Sequence, residues 1–309
     1  MADATVMGAQ KAGAAHEPAA PTCVPGGQIP GSGGRNPAPG GVSLTHAALA
    51  GRERVGLDSW FLHFDVPELA SRILPGQFLM VGMRPPATFL KRPFSVADAA
   101  DGRITLLLRS YGEGTLEMSR RRIGDPFELL GPFGRGFRLD APAARAVMIA
   151  GGIGLAPFYI LARRLKELPT PPQVWLVYGE RSREAVTAGV ERVLHFDRVL
   201  TYTEDGSAGE RGNAVDGFRR LAAAGELTGA RLYACGPHRM LEALEVERER
   251  LGTPAEYSME ERMGCGFGIC QGCAVPANPA HSAQAYHLLC KAGPVMDPTR
   301  VLWSHPALP

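Results

Sequence analysis

The sequence predicts a mixed β and α/β protein: an antiparallel β-barrel, then a doubly wound parallel sheet, then a small C-terminal module. Short apolar runs bounded by Gly and Pro come first, strand and helix patterns alternate next, and cysteine and glycine dominate the end. We expect these domains to cover residues 43–142, 143–253 and 254–309, after a tail over 1–42.

Composition fits a globular chain and excludes several partners. Of the 309 residues 45% are apolar, and the net charge is only +2, which gives no electrostatic reason to expect nucleic acid or an anionic membrane. No apolar run approaches the roughly 18 residues of a membrane span, and no secretory signal pattern begins the chain. We therefore expect a soluble, cytoplasmic protein whose cysteines are thiols or metal ligands.

The first 42 residues are rich in Ala, Gly and Pro and hold almost no aliphatic residues at helix or strand spacing. Such a segment buries too little surface to offset the entropy lost on ordering, so we expect a disordered tail. Cys23 lies in it, and we assign that cysteine no specific role.

Strand-length runs separated by turn residues indicate the barrel, with one helix near 114–122. They lie at 60–66, 77–81, 94–97, 104–109 and 126–130. Further strands alternate with helical patterns, as a doubly wound sheet requires, and Pro157 stands at the first position of the first helix. These strands lie at 146–150, 173–178, 198–202 and 231–234.

A cysteine cluster is the most specific pattern. Cys265, Cys270 and Cys273 have the spacing C-x4-C-x2-C, and Cys290 completes the set. This is the plant-type arrangement in which four thiolates hold a [2Fe–2S] cluster. Structural zinc usually uses two short C-x2-C knuckles, and disulfides need an oxidising compartment, so both alternatives are less favoured.

Two stretches in the barrel suggest a flavin dinucleotide. Arg92-Pro93-Phe94-Ser95 offers a cation for a pyrophosphate and a hydroxyl for the flavin N5 region, although alone it is also an ordinary surface turn. Leu107-Leu108-Arg109 and Gly112-Glu113-Gly114-Thr115 then lead into the predicted helix, whose free N–H groups can bind phosphate.

Two further turns suit a second dinucleotide. The stretch 151–157 (GGIGLAP) joins a buried strand to a helix, where glycines let a pyrophosphate approach the backbone, and a tight packing turn is the alternative. Cys235-Gly236-Pro237 repeats this strand-to-helix geometry. By itself Cys235 carries little weight, because a buried structural cysteine is commoner than a functional one.

Together these motifs resemble the ferredoxin–NADP reductase superfamily over about residues 44–252. With the stretches 261–273 and 290–295 added, the chain is similar to the electron-transfer subunits of class 1B dihydroorotate dehydrogenase, and 203–209 (TEDGSAG) matches their nicotinamide domain. The gap from Cys273 to Cys290 is shorter than in plant ferredoxins.

The resemblance implies that the barrel binds FAD, that the α/β domain binds NAD, and that the C-terminal [2Fe–2S] module docks on a separate FMN-containing dihydroorotate dehydrogenase catalytic subunit in a heterotetramer. In that scheme dihydroorotate reduces the FMN, and electrons pass through the cluster and FAD to NAD⁺ in pyrimidine biosynthesis.

The resemblance also implies site residues. Those expected to line the flavin are Arg92, Pro93, Phe94 and Ser95, with Ser95 near N5. Those expected to hold the ribityl-pyrophosphate chain are Leu107, Leu108, Arg109, Gly114 and Thr115. Those expected to frame the nicotinamide are Gly151, Gly152, Ile153, Gly154, Cys235, Gly236 and Pro237. The candidate catalytic residues are Ser95 and Cys235. The expected iron ligands are Cys265, Cys270, Cys273 and Cys290.

Two other functions stay open at this point. Related subunits serve hydrogenases and electron-bifurcating transhydrogenases, and a redox sensor without turnover is an alternative from another class. NAD and NADP are not distinguished either, because Arg181 and Arg183 suit a 2′-phosphate but are also ordinary surface residues.

Overall fold

A computed structural model describes Met1 and residues 41–86, 88–140, 143–190, 193 and 195–303. The tail predicted over 1–42, with Cys23, lies almost entirely outside the described residues. In the part of the chain that is described, no helix has the length and apolar character needed to cross a membrane.

Seven antiparallel strands form an N-terminal half-barrel. They are β1 (Ser43–Ala48), β2 (Gly51–Arg54), β3 (Ser59–Asp65), β4 (Phe78–Met83), β5 (Arg92–Ala100), β6 (Arg103–Arg109) and β7 (Pro126–Phe133). They lie in the order β1-β7-β4-β5-β6-β3-β2. Alternate apolar side chains point inward, as the period of a strand requires, and build one core with the short helix α1 (Pro67–Ala70). The predicted helix is α2 (Glu113–Arg120).

The second sheet is parallel except for one edge strand. Its strands are β8 (Arg145–Gly151), β9 (Gln173–Glu180), β10 (Arg198–Thr203), β11 (Glu210–Arg211), β12 (Ala230–Cys235), β13 (Ala255–Ser258) and β16 (Val295–Met296), in the order β11-β10-β9-β8-β12-β13-β16. Its helices are α3 (Ala156–Lys166), α4 (Ala214–Ala223) and α5 (His238–Leu251). The apolar residues of α3 pack in one core, whereas those of α4 and α5 pack in another, so both faces of the sheet are covered.

The cysteines lie on a stretch that leaves this sheet and returns to it. After β13 the chain forms the cysteine segment (residues 259–294), and β16 then pairs antiparallel with β13. Within the segment β14 (Ala274–Pro276) and β15 (Tyr286–Leu288) form a hairpin, followed by the short helix α6 (Leu289–Ala292). Cys273 and Cys290 are buried there beside Val275 and Leu289.

The two large domains share an extensive contact. Helix α3 packs on β5, and its Ile160 enters the core of the half-barrel. The ring of Tyr159 meets Phe61 edge-on with 5.7 Å between centroids, and Arg163 binds Asp98 at 2.8 Å. The described residues from 41 onward accordingly belong to one compact unit. The predicted fold class, an antiparallel barrel followed by an α/β sheet, is confirmed.

Candidate functional site

Strand β5 presents the first motif towards the α/β domain. Ala97 packs in the core shared with α3, whereas Phe94 contacts the core of the half-barrel. Since side chains alternate along a strand, Pro93 and Ser95 lie on the same face as Ala97. Ser95 is half-buried, and its hydroxyl makes no hydrogen bond to a described residue. It is therefore free to donate to a ligand on that face of the strand.

Arg92 meets the start of α2, as a phosphate site requires. Its Nη1 donates to Leu90 O at 2.5 Å, and a Cβ built on Gly114 would lie 3.3 Å from its Nε and Nη2. The hydroxyl of Thr115 accepts from Gly112 N at 3.1 Å and closes the first turn of the helix. The structure thus brings together a guanidinium and a helix N-terminus, which both attract anions.

The side chains of Leu107, Leu108 and Arg109, at the end of β6, point to two opposite faces of the strand. Leu108 points into the core of the half-barrel, whereas Leu107 packs in the core shared with α3. Arg109 lies on the same face as Leu107 and forms an ion pair with Glu180, at the end of β9. Only the backbone of Leu108 is left to contact a ligand, and Arg109 faces the α/β domain.

The two predicted nicotinamide turns touch each other. Residues 151–154, called the glycine turn from here on, end β8 and form a 3₁₀ turn before α3, and Ala150 pairs with Cys235 in the neighbouring strand β12. A Cβ built on Gly154 would collide with the carbonyl of Cys235, so only glycine permits this approach. Both turns lie at the carboxyl edge of the parallel strands, the usual location of a dinucleotide in such a sheet.

Cys235 is fully buried at this edge, and burial raises the pKa of its thiol well above the usual range. The charge of Glu260 raises that pKa further. Glu260 itself is an exposed residue, yet protein around its carboxyl raises its pKa as well. Cys235 is consequently a neutral thiol at physiological pH.

The four predicted iron ligands come together as two pairs. The N–H of Cys270 points at the sulfur of Cys265 at 3.5 Å, and the N–H of Cys290 points at the sulfur of Cys273 at the same distance. Among the described residues, no group of three His, Cys, Asp or Glu side chains is arranged around one point to hold a metal ion. Four cysteine sulfurs, two of which accept from backbone N–H groups, are the kind of donor set that an iron–sulfur cluster uses.

The pKa values of the two pairs differ. Burial works against ionisation of Cys265, but N–H groups of Cys270 and Phe267 outweigh it and lower the pKa of Cys265 to about 6. Burial and the neighbouring Cys273 raise the pKa of Cys290 to about 12. We call the buried Cys273 and Cys290 the inner pair, and Cys265 and Cys270 the outer pair. A cation bound by all four sulfurs would therefore have to displace a proton from the inner pair.

The loop that carries the outer pair rests on the half-barrel. This cysteine loop (residues 264–272) has Gly266 at φ +83°, where a Cβ would lie 2.6 Å from Met80 Cγ. The ring of Phe267 stacks on Phe133 with 6.4 Å between centroids. Met80 pairs with Pro93 in the sheet, so the loop lies directly beside the strand that carries the flavin motif.

Sequence reasoning missed two acidic residues at this site, Glu180 and Glu260. Glu180 ends β9 next to the glycine turn, and a carboxylate at the end of a buried parallel strand is a signal that could have been used. Glu260 follows β13, a strand that was not predicted, so its position in the site had no sequence signal.

Comparison with known proteins supports each part of this arrangement. Three family models match consecutive stretches of the chain: an oxidoreductase FAD-binding domain over 46–137, an oxidoreductase NAD-binding domain over 148–245, and the iron–sulfur cluster binding domain of dihydroorotate dehydrogenase B over 260–302. The predicted cofactor classes, FAD, NAD and an iron–sulfur cluster, are thereby confirmed.

Solved structures show the same fold. The NADH-dependent reduced ferredoxin-NADP oxidoreductase, studied for flavin-based electron bifurcation, superposes with a TM-score of 0.71 over 83% of this chain and 90% of its own, at 22% identity. The ferredoxin reductase of carbazole 1,9a-dioxygenase has a TM-score of 0.59 over 70% and 69%, also at 22% identity. These likenesses establish the architecture alone.

Sequence relatives are closer. The dihydroorotate dehydrogenase B (NAD(+)) electron transfer subunit of Geobacillus thermodenitrificans is 38% identical over 72% of this chain and 84% of its own length. That of Desulforamulus reducens is 32% identical over 81% and 94%. The chain therefore belongs to the family of electron transfer subunits of dihydroorotate dehydrogenase B.

Proposed function

We propose that this chain passes electrons between a separate FMN-containing dihydroorotate dehydrogenase subunit and NAD⁺, as part of a cytoplasmic heterotetramer in pyrimidine biosynthesis. The names of its relatives supply the reaction and imply a catalytic partner subunit. Thiolate ligands to iron persist in a reducing compartment, which supports the cytoplasmic location.

One observation carries the proposal: the cysteine loop packs on β4, the strand that pairs with the flavin motif in β5. Gly266 contacts Met80, and Met80 pairs with Pro93. A short separation within one rigid unit is what single-electron exchange between two centres needs. The chain would supply that separation through packing, without a moving domain.

Within this function we propose cofactor regions over 43–142 for FAD, 143–253 for NAD and 254–309 for a [2Fe–2S] cluster, held by Cys265, Cys270, Cys273 and Cys290. FAD, when bound, would convert between the hydride of a nicotinamide and the single electrons of an iron–sulfur centre.

The remaining side chains would bind and orient. Arg92 and the N-terminus of α2, with Gly114 and Thr115, would bind the flavin pyrophosphate. Ser95 would donate a hydrogen bond near N5. Cys235 is fully buried, so it would support the nicotinamide site from within the core, as a neutral thiol whose proton burial keeps in place. The glycine turn and Gly236-Pro237 would admit the dinucleotide backbone.

Purification with its partner tests the proposal. We expect anaerobic material to contain FAD and two irons per chain, to reduce dyes with NADH, and to reduce NAD⁺ with dihydroorotate only after an FMN subunit is added. Co-purification with a hydrogenase or a ferredoxin-linked partner would support the bifurcating alternative instead. A redox sensor would show no dye reduction, and one tetrahedral zinc in place of iron would refute the cluster.

The role of Ser95 has its own test. Ser95→Ala should retain FAD but be reduced by NADH about 10- to 100-fold more slowly, because general hydrogen-bond assistance at a reacting centre is typically worth that much or more. Stopped-flow bleaching of the flavin band measures this rate, with Ser110→Ala as the control. An unchanged rate would contradict the position near N5.

A further inference from the structure

A buried ion pair joins the half-barrel to the α/β domain beside the glycine turn. Nη2 of Arg109, at the end of β6, donates to Oε1 of Glu180, at the end of β9. The side chains are 13% and 2% exposed. Two charges withdrawn from water to this degree are tolerated only when they are paired, so each residue holds the other in place.

Glu180 is fixed from behind by a second buried group. The hydroxyl of Tyr178 donates to Glu180 Oε1 at 2.9 Å and lies 3.2 Å from Thr187 Oγ1. Burial raises the pKa of Tyr178, which keeps this hydroxyl a donor at any physiological pH. The carboxylate therefore has one orientation, and it presents its charge to the guanidinium of Arg109.

Arg109 is fixed by its other nitrogens as well. Its Nε lies 3.5 Å from both Asp58 Oδ1 and Ser59 Oγ, and its Nη2 also approaches Ala185 O at 3.5 Å. Burial opposes the charge of Arg109, but its bond to Glu180 outweighs this and raises its pKa. The guanidinium is thus a permanent cation with one allowed direction.

One nitrogen of this guanidinium points at the glycine turn. A Cβ built on Gly152 would lie 3.2 Å from Arg109 Nη1, and Nη1 donates to no described residue. Gly152 begins the 3₁₀ turn that leads into α3, and the first N–H groups of a helix have no partner within it. A fixed N–H donor of Arg109 and the N-terminus of α3 therefore lie next to the same turn.

We propose that Glu180 is a positioning residue that aims Arg109 at the pyrophosphate of the nicotinamide dinucleotide. The flavin site already has a cation in Arg92, beside Gly114 at the start of α2. Arg109, which the resemblance assigns to the flavin pyrophosphate, instead lies with Leu107 on the face towards the α/β domain. Arg109 then binds the second dinucleotide from the half-barrel. Because Glu180 belongs to the α/β domain, this contact depends on the packing of the two domains against each other. The inference rests on the nicotinamide binding proposed above.

The test compares two ligands on the full protein loaded with FAD and cluster. ADP-ribose has the pyrophosphate, and adenosine lacks it. Calorimetry should show that Arg109→Gln and Glu180→Gln each lower the affinity for ADP-ribose about 10-fold or more. Adenosine affinity and FAD content should stay unchanged. KM for NADH should rise by the same factor, with little change in flavin reduction at saturation.

Arg163→Gln is the matched control, because Arg163 and Asp98 form another ion pair between the same domains, away from the glycine turn. It should leave ADP-ribose affinity unchanged. If Glu180→Gln lowered the affinities for ADP-ribose and adenosine equally, the role of Glu180 would be merely structural and the proposal would be overturned. Loss of FAD with ADP-ribose affinity retained would overturn it as well. Wild-type protein that bound neither ligand would instead refute nicotinamide binding itself.

Discussion

The inner and outer halves of the cysteine set are held by different means. Cys273 and Cys290 are each 2% exposed and are fixed by the packing of β14 and α6. Cys270 is exposed, and its neighbour Ile269 is 75% exposed on the cysteine loop. One pair belongs to the core of the protein, whereas in the other pair Cys265 is half-buried and Cys270 is exposed. The predicted ligand set therefore has a buried side and an exposed side.

Removing one cysteine from each pair should give the largest contrast. Cys270→Ala and Cys290→Ala should both lose the visible absorbance of the cluster and keep NADH-to-dye activity through FAD. Only Cys290→Ala also removes buried packing, so limited proteolysis within 259–294 should be faster in this variant. Equal cleavage in both variants would remove the distinction between the pairs, and full activity of Cys270→Ala with the partner would exclude the cluster from the pathway.

Gly266→Ala should detach the outer pair alone. A Cβ there meets Met80 at 2.6 Å, and the left-handed backbone adds about 1 to 2 kcal/mol of strain. We expect lower iron content and a weaker cluster signal, measured by iron assay and visible circular dichroism. Gly229→Ala is the control, since Gly229 has φ +68° but no atom within 4 Å of a built Cβ. Equal iron content in both variants would contradict a specific contact.

Ile269→Ser tests whether the exposed cysteine loop binds the FMN subunit. The side chain is exposed, so thermal stability and NADH-to-dye activity should not change. If docking buries this residue, the affinity for the FMN subunit should fall about 10-fold or more, because a buried aliphatic side chain contributes about 1.5 to 3 kcal/mol. Steady-state dihydroorotate oxidation at varied partner concentration measures the effect. An unchanged dependence on partner concentration would place the docking surface elsewhere.

Lowering the pH should reduce the thermal stability of the hairpin that carries the inner pair, and we expect this effect to be the smallest. His287 in β15 is buried, neither ring nitrogen has a hydrogen bond to a described residue, and burial lowers its pKa. Below its ordinary pKa of about 6.5 the unfolded chain binds a proton that the folded one refuses, so stability falls as pH decreases through that value. His287→Leu should make the melting temperature depend less on pH between pH 7.5 and 5.5. A pH dependence as steep as that of the wild type would contradict this.

Most of the fold could be predicted because its strands are apolar runs. The exceptions have physical causes. Strands β1 and β2 contain polar residues such as Arg52 and Glu53, and pairing with neighbours fixes them rather than their own apolar pattern. The strands β13 and β16 are four and two residues long, too short for a periodic signal. Only tertiary pairing defines them.

The site was predictable where its chemistry depends on spacing. The four cysteines form a fixed pattern, and the structure gathers them into two pairs. The flavin and nicotinamide motifs likewise fall at strand ends, where backbone groups are free. The pair Arg109 and Glu180 could not be found this way, because it joins residues 71 positions apart in different domains. No local pattern records such a contact.

The return of the chain at β16 has a consequence for how this protein can be divided. Both ends of the cysteine segment are anchored on the same edge of the parallel sheet, through Tyr257 with Met296 and Ser258 with Val295. The iron-binding part is thus an insertion between paired strands rather than an appendage. Cutting the chain after residue 253 would strip two strands from the sheet and leave the backbone of β12, beside Cys235, open to water.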